Sequence, residues 1–209
     1  MTFSNACFVS YRHAGPATEI VRRFCATLEV QLALLTPNLR VYRDERRLAP
    51  GDYLDAELAM EMCRSTCMVL LFTPEYFDVN HPYCAREYRG MVALEERRQR
   101  VLPSLVGKSL IIPVIIRGES RVPEELRSRV FRSFDRELLQ ASDVRKPRVV
   151  GAIRDIADAI YDRIDAMRYA SSDVVHDCGQ FQLPTTGEIA EWLRGVAPPP
   201  LPSPAQASL

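Results

Sequence analysis

An α/β fold with a central parallel sheet of four to five strands and helices on both faces is what this sequence predicts, on three observations. Short apolar runs alternate with stretches of helical period over the first 169 residues. One run, CMVLLFT at 67–73, is apolar at almost every position, as a strand buried on both faces must be. The order strand, helix, strand, helix, strand, helix, strand then favours parallel pairing through helical crossovers.

The elements follow in order. ACFVSY at 6–11 suits a buried strand. After Pro16, the residues Ile20, Val21, Phe24, Leu28, Leu32 and Leu35 recur at helical spacing and predict an amphipathic helix over 17–35, stopped by Thr36-Pro37-Asn38. LRVYR at 39–43 is the second strand, and Pro50-Gly51 in the polar stretch after it marks a tight turn. Leu54, Leu58 and Met62 step by four, which places a helix over 53–63. The central run is closed by Pro74. Pro82 stands where a helix begins, and 83–98 carries helix formers that end in a basic turn suited to the helix dipole. LIIPVII at 110–116 is the fourth strand, whose Pro113 has no N–H for the ladder and predicts an edge or a bulge. A weaker run at 130–134 is the fifth. Ile153, Ile156, Ala157, Ile160, Ile164 and Met167 form the cleanest apolar stripe and predict a closing helix over 149–169. Beyond it lies a C-terminal extension, 170–209, with a short helix at 187–194 bearing Trp192 and a Pro-rich end expected to be extended and mobile.

Composition removes several classes of function. The 209 residues are 47% hydrophobic and 26% charged, enough for one main domain with a real core. Lys plus Arg and Asp plus Glu both number 27, so the basic excess expected of a phosphate-neutralising nucleic-acid binder is missing. No stretch approaches the ~20 apolar residues that cross a bilayer, and the N-terminus lacks the pattern of a secretory signal; a cytoplasmic chain without membrane partners is expected. The six cysteines are scattered without a CxxC, several within apolar runs where a reduced thiol packs as a small hydrophobe, so no metal is expected.

Open parallel sheets bind ligands outside the carboxyl ends of their strands, so the residues after each strand discriminate between the doubly wound, flavodoxin-like proteins. Ser10-Tyr11-Arg12-His13-Ala14-Gly15 follows the first strand. It holds one glycine, not GxGxxG; no GxxxxGK[ST] occurs; and the acidic pair of a phosphate-accepting receiver domain is replaced by Ser10 and Tyr11.

FVSYRH at 8–13, VYRDERRLAPGDYLDAELAMEMCRSTCMVLLFTPEYF at 41–77 and HPYCAREY at 81–88 stand in an order that resembles the Toll/interleukin receptor (TIR) domain family, in its prokaryotic NAD-cleaving form. FVSYRH at 8–13 is similar to the family's first-strand signature. Residues 41–77 resemble its second strand, BB loop, second helix and third strand, with Asp44, Leu48 and Gly51 at the family's offsets. HPYCAREY at 81–88 resembles the segment opening the third helix, and IIPVIIRG with a P-E-E-L loop extends the likeness through the fourth strand. Three blocks in register carry the resemblance.

The resemblance implies one of two functions. One is an NAD glycohydrolase that cuts the nicotinamide–ribose bond to give ADP-ribose or a cyclised product, with NAD as substrate and no cofactor, in a setting such as bacterial antiphage signalling. The other is a non-catalytic adaptor acting by TIR–TIR association. Glu87 stands at the family's catalytic glutamate. Nicotinamide leaves as a neutral molecule, so one carboxylate that holds the ribose hydroxyls and stabilises the growing oxocarbenium charge can suffice. Taken alone, Glu87 reads first as a solvated glutamate favoured near a helix N-terminus, and the motif blocks around it turn the reading to a catalytic one.

Tyr83, four residues earlier and on the same helix face, is a candidate to stack on nicotinamide. Arg12 is placed to meet the diphosphate, with Phe8 and Tyr11 framing the cleft. Tyr53 is either an aromatic closing over the ligand or a core anchor for the second helix. Arg46 and Arg47 are phosphate partners or oligomer contacts, and Asp44, Leu48, Pro50 and Gly51 complete the loop expected to mediate self-association, with an unidentified activating partner. His81 and Cys84 lack the geometry of a nucleophile–base pair, which leaves Cys84 packed under the helix. The run Glu95-Glu96-Arg97-Arg98 reads as a solvated helix face.

Overall fold

A computed structural model describes residues 3–13, 17–43, 54–168 and 178–196. Its strands are Asn5–Tyr11 (β1), Arg40–Arg43 (β2), Ser65–Phe72 (β3), Ile111–Ile115 (β4) and Arg132–Ser133 (β5), all parallel, in the order β2-β1-β3-β4-β5. The helices are Thr18–Leu35 (α1), Leu54–Cys63 (α2), Tyr83–Val101 (α3), Glu124–Arg127 (α4), Pro147–Met167 (α5) and Thr186–Val196 (α6). The flavodoxin-like α/β fold with five strands is therefore the observed one.

Every residue of β1, β3 and β4 is buried, as strands covered on both faces require. Alternation along β1 sends Phe8 and Ser10 toward α2 and α3, and Cys7, Val9 and Tyr11 toward α1 and α5. On the second face Phe24 of α1 meets Phe134 edge-on at 6.1 Å, and Ile153, Ile156 and Ile160 bury the stripe of α5. Each such side chain taken fully out of water contributes about 1.5–3 kcal/mol.

Pro113 explains itself by direction. Leu110 and Ile116 bond toward β3, through Met68 N–H and Phe72 O, whereas Ile115 accepts from Phe134 on the opposite side. Odd-numbered β4 residues thus face β5, where pairing begins only at Val114. The missing N–H of Pro113 falls on an unpaired edge.

Two expectations need correction. Glu95 and Arg98, read as part of a solvated face, are 9% and 2% exposed. Arg98 donates to the carbonyls of Cys63 (2.6 Å), Ser65 (2.9 Å) and Thr66 (3.1 Å) and lies 5.0 Å over the Phe3 ring; burial draws its guanidinium down to about 10. It closes the turn between α2 and β3 by satisfying carbonyls that have no helical partner. The cysteines are also not all free thiols. Cys63 at the end of α2 is disulfide-bonded to Cys178, while Cys7, Cys25, Cys67 and Cys84 are buried thiols.

That bond ties down the C-terminal segment. Gly90 of α3 lies so close to it that a Cβ would sit 2.7 Å from Leu183 Cδ2. Trp192 of α6 stacks on Tyr88 (5.7 Å, 10°), meets Phe77 edge-on, lies under the Arg89 guanidinium at 5.2 Å and donates its indole N–H to Glu125 at 2.6 Å. The Pro-rich end, 197–209, lies outside the described residues.

Candidate active site

In this strand order the switch point falls between β1 and β3, whose chains leave their carboxyl ends for opposite faces of the sheet. A polar cluster is built there. Ser10 is the last α3-facing residue of β1. Tyr76 sits in the turn after β3, where its N–H bonds to Thr73 O. Glu87 lies on the second turn of α3. The Ser10 hydroxyl donates to Glu87 Oε2, and the Tyr76 hydroxyl is 2.5 Å from Ser10 Oγ. All three are buried, at 1%, 0% and 7% exposure for Ser10, Tyr76 and Glu87. Burial first, then the charges of Cys84 and Glu87, push the Tyr76 phenol well above its ordinary value.

Arg12, two residues beyond Ser10, ion-pairs loosely with Asp78 at 4.0 Å, and its Nε is buried without a hydrogen-bond partner among the described residues. Cys84, one turn before Glu87, has its thiol pushed up by burial and by Glu87, with Arg12 opposing. It stays protonated at neutral pH, in keeping with a packing role.

The sequence-predicted residues divide. Glu87 and Arg12 lie at the switch point. Phe8 is on the same sheet face but fully buried, stacked on Tyr42 at 5.5 Å. Tyr11 falls on the opposite face by alternation and packs on His13 at 4.2 Å. Tyr83 opens α3 and is half exposed, with the Arg86 guanidinium 6.0 Å from its ring centre. Asp44, Arg46, Arg47, Leu48, Pro50, Gly51 and Tyr53 lie outside the described residues. Sequence reasoning missed Ser10 and Tyr76 as partners of the carboxylate. Strand alternation alone could have pointed Ser10 at the helix carrying Glu87; nothing in the sequence flagged the Tyr76 hydroxyl.

A cavity of about 750 Å³ lies elsewhere, between the second half of α3, the edge of β4 and α5. Its arginines are occupied: Arg129 by Glu95, Arg132 by Asp155 and Arg163 by the Ser109 carbonyl. Among the described residues no cluster of acidic, His and Cys side chains could hold a metal, and no helix is long and apolar enough to cross a membrane.

The parallel strand order, with a polar cluster around a buried carboxylate at its switch point, is that of a doubly wound α/β domain. The TIR domain family matches residues 7–146, more than half of the chain, and the chain belongs to that family. No curated protein matches it.

Proposed function

We propose that the chain is an NAD-cleaving TIR enzyme of prokaryotic type. One observation carries the reading: Glu87, at the family's catalytic position, presents a buried carboxylate at the switch point, held by a hydroxyl from β1. A fixed carboxylate in a poorly solvated site stabilises positive charge better than one in water. It would bind the ribose hydroxyls and stabilise the oxocarbenium ion as the C–N bond breaks and nicotinamide leaves with the bonding pair. Water then adds at the anomeric carbon and loses a proton, giving ADP-ribose; capture by a nitrogen of the same molecule gives a cyclic product. Arg12, with its spare buried N–H, suits the diphosphate. Loop 44–52 would bring copies together, and the activity would serve immune signalling in the cytoplasm, triggered by a partner.

A second reading, a non-catalytic adaptor, is favoured by the same hydrogen bond, because Ser10 and Tyr76 give Glu87 a purely architectural purpose. Nicotinamide release from NAD at high protein concentration separates the two. The enzyme requires release by the wild-type chain and its loss, by about 100-fold or more, in Glu87→Ala with the melting temperature kept within a few degrees. Absence of release by the wild-type chain leaves the adaptor, and undiminished release by the variant overturns the assignment of Glu87 as the catalytic carboxylate.

A further inference from the structure

We infer that Tyr76 and Ser10 are positioning residues that hold Glu87 in one rotamer through a one-way chain of donors, a reading that rests on Glu87 being the catalytic carboxylate. The direction of the chain follows from proton counting. A serine hydroxyl has a single proton, and Ser10 gives it to Glu87 Oε2. The 2.5 Å contact between Ser10 Oγ and Tyr76 Oη can then be made only with the phenol as donor. Tyr76 is suited to that: it is wholly buried, and its phenol, held well above its ordinary value, keeps its proton at any pH near neutral. The proton order is Tyr76 Oη–H to Ser10 Oγ, and Ser10 Oγ–H to the carboxylate.

A carboxylate accepts from Ser10 without conflict. Each donor polarises the next, so the two hydroxyls act on the carboxylate as a unit. They come from different elements, β1 and the turn after β3, and fix the carboxylate relative to the sheet as well as to its own helix. Tyr76 is itself wedged by Phe77 at 4.9 Å edge-on and Phe72 at 6.3 Å, so its hydroxyl has little freedom to move. A positioned general carboxylate loses rate when its orientation loosens, and its substrate affinity changes little.

The test is steady-state nicotinamide release by the full chain and by Ser10→Ala, Tyr76→Phe, the double variant and Ser10→Thr, with melting curves for each. Ser10→Ala should lower kcat by about tenfold with KM within about twofold, and Tyr76→Phe by about threefold. Adding Tyr76→Phe to Ser10→Ala should cost almost nothing more in kcat, because the phenol acts only through the serine. Ser10→Thr, which keeps the hydroxyl on a strand that accepts β-branched residues, should recover most of kcat. The proposal is overturned if Ser10→Ala retains wild-type kcat, if the two substitutions multiply, or if threonine fails to rescue in a chain that melts like wild type. Should Ser10→Thr fold poorly, the coupling between Ser10→Ala and Tyr76→Phe decides. A wild-type chain that releases no nicotinamide overturns the enzyme reading and this one together, whereas an active wild type with an indifferent Ser10 overturns this one alone.

Discussion

Helix α3 carries two buried carboxylates eight residues apart, Glu87 and Glu95, and they are held in unlike ways. Glu95 accepts the backbone N–H of Leu110 at 2.9 Å and pairs with the Arg129 guanidinium at 2.8 Å, so its charge joins α3 to the start of β4 and to the turn before β5. The donor described for Glu87 is a neutral hydroxyl, backed by a second neutral hydroxyl. Equal burial therefore goes with two settings: Glu95 is tied to Arg129 and to the start of β4, whereas Glu87 lies at the switch point beside Ser10 and Tyr76.

The largest effects should come from exchanging the charge at each position. Glu87→Gln keeps shape and should cut nicotinamide release by about 100-fold or more with little change in melting. Glu95→Gln leaves Arg129 half-buried without its anion and should cost about 2–3 kcal/mol in chemical denaturation, with release per folded molecule retained. The comparison breaks if Glu95→Gln is stable but inactive, or if Glu87→Gln unfolds the chain as readily as Glu95→Gln does.

How much of this was legible beforehand depends on what each residue's neighbours are. Apolar periodicity located β1, β3, β4, α1 and α5, because a buried stripe or run must appear in the sequence of the element that makes it. Glu87 and Arg12 were reached through motif blocks, which pack several offsets into one short segment. Arg98 and Glu95 were misread because a charge run looks the same whether solvent or carbonyls satisfy it; their partners, Cys63, Ser65 and Thr66 for one and Arg129 for the other, are more than 30 residues away. The Cys63–Cys178 bond joins residues 115 apart and has no local signature. Tyr76 was invisible for the same reason, since its hydroxyl meets a strand 66 residues earlier.

A middle-sized effect should come from the cover over the Glu87 half of α3. Trp192 fills the notch between Phe77 and Tyr88 and gives its N–H to Glu125, so Trp192→Ala removes aromatic contacts and leaves an acceptor short of a donor. A half-buried tryptophan at such a site should cost about 2 kcal/mol, and limited proteolysis should cut the variant between α5 and α6 faster than the wild type. Arg86, which donates to the Pro184 carbonyl at 2.6 Å and pairs with Asp55 at 2.6 Å, precedes Glu87 in the chain. Any loosening that reached the site would therefore lower kcat in Trp192→Ala. An unchanged melting curve would remove α6 from the account of what holds this half of the helix.

The smallest effect belongs to a third carboxylate, Glu19, which shows what charge pairing is worth in water. It bonds to Arg22 and Arg23 of its own helix at 2.7 Å each, and these hydrogen bonds lower its carboxyl from 4.5 to about 2. A carboxyl lowered in the folded state stabilises above its unfolded value, so the contribution is complete above about pH 4.5 and disappears as pH falls toward 2. The group is exposed, however, and solvent screening discounts the interaction heavily. Glu19→Gln should thus shift the melting temperature at pH 7 by about a degree or two, less at high salt, and by nothing measurable at the acid end of that window. A cost approaching that of Glu95→Gln would mean that burial is not what separates a structural ion pair in this fold from an ornamental one, and the contrast drawn along α3 would lose its physical basis.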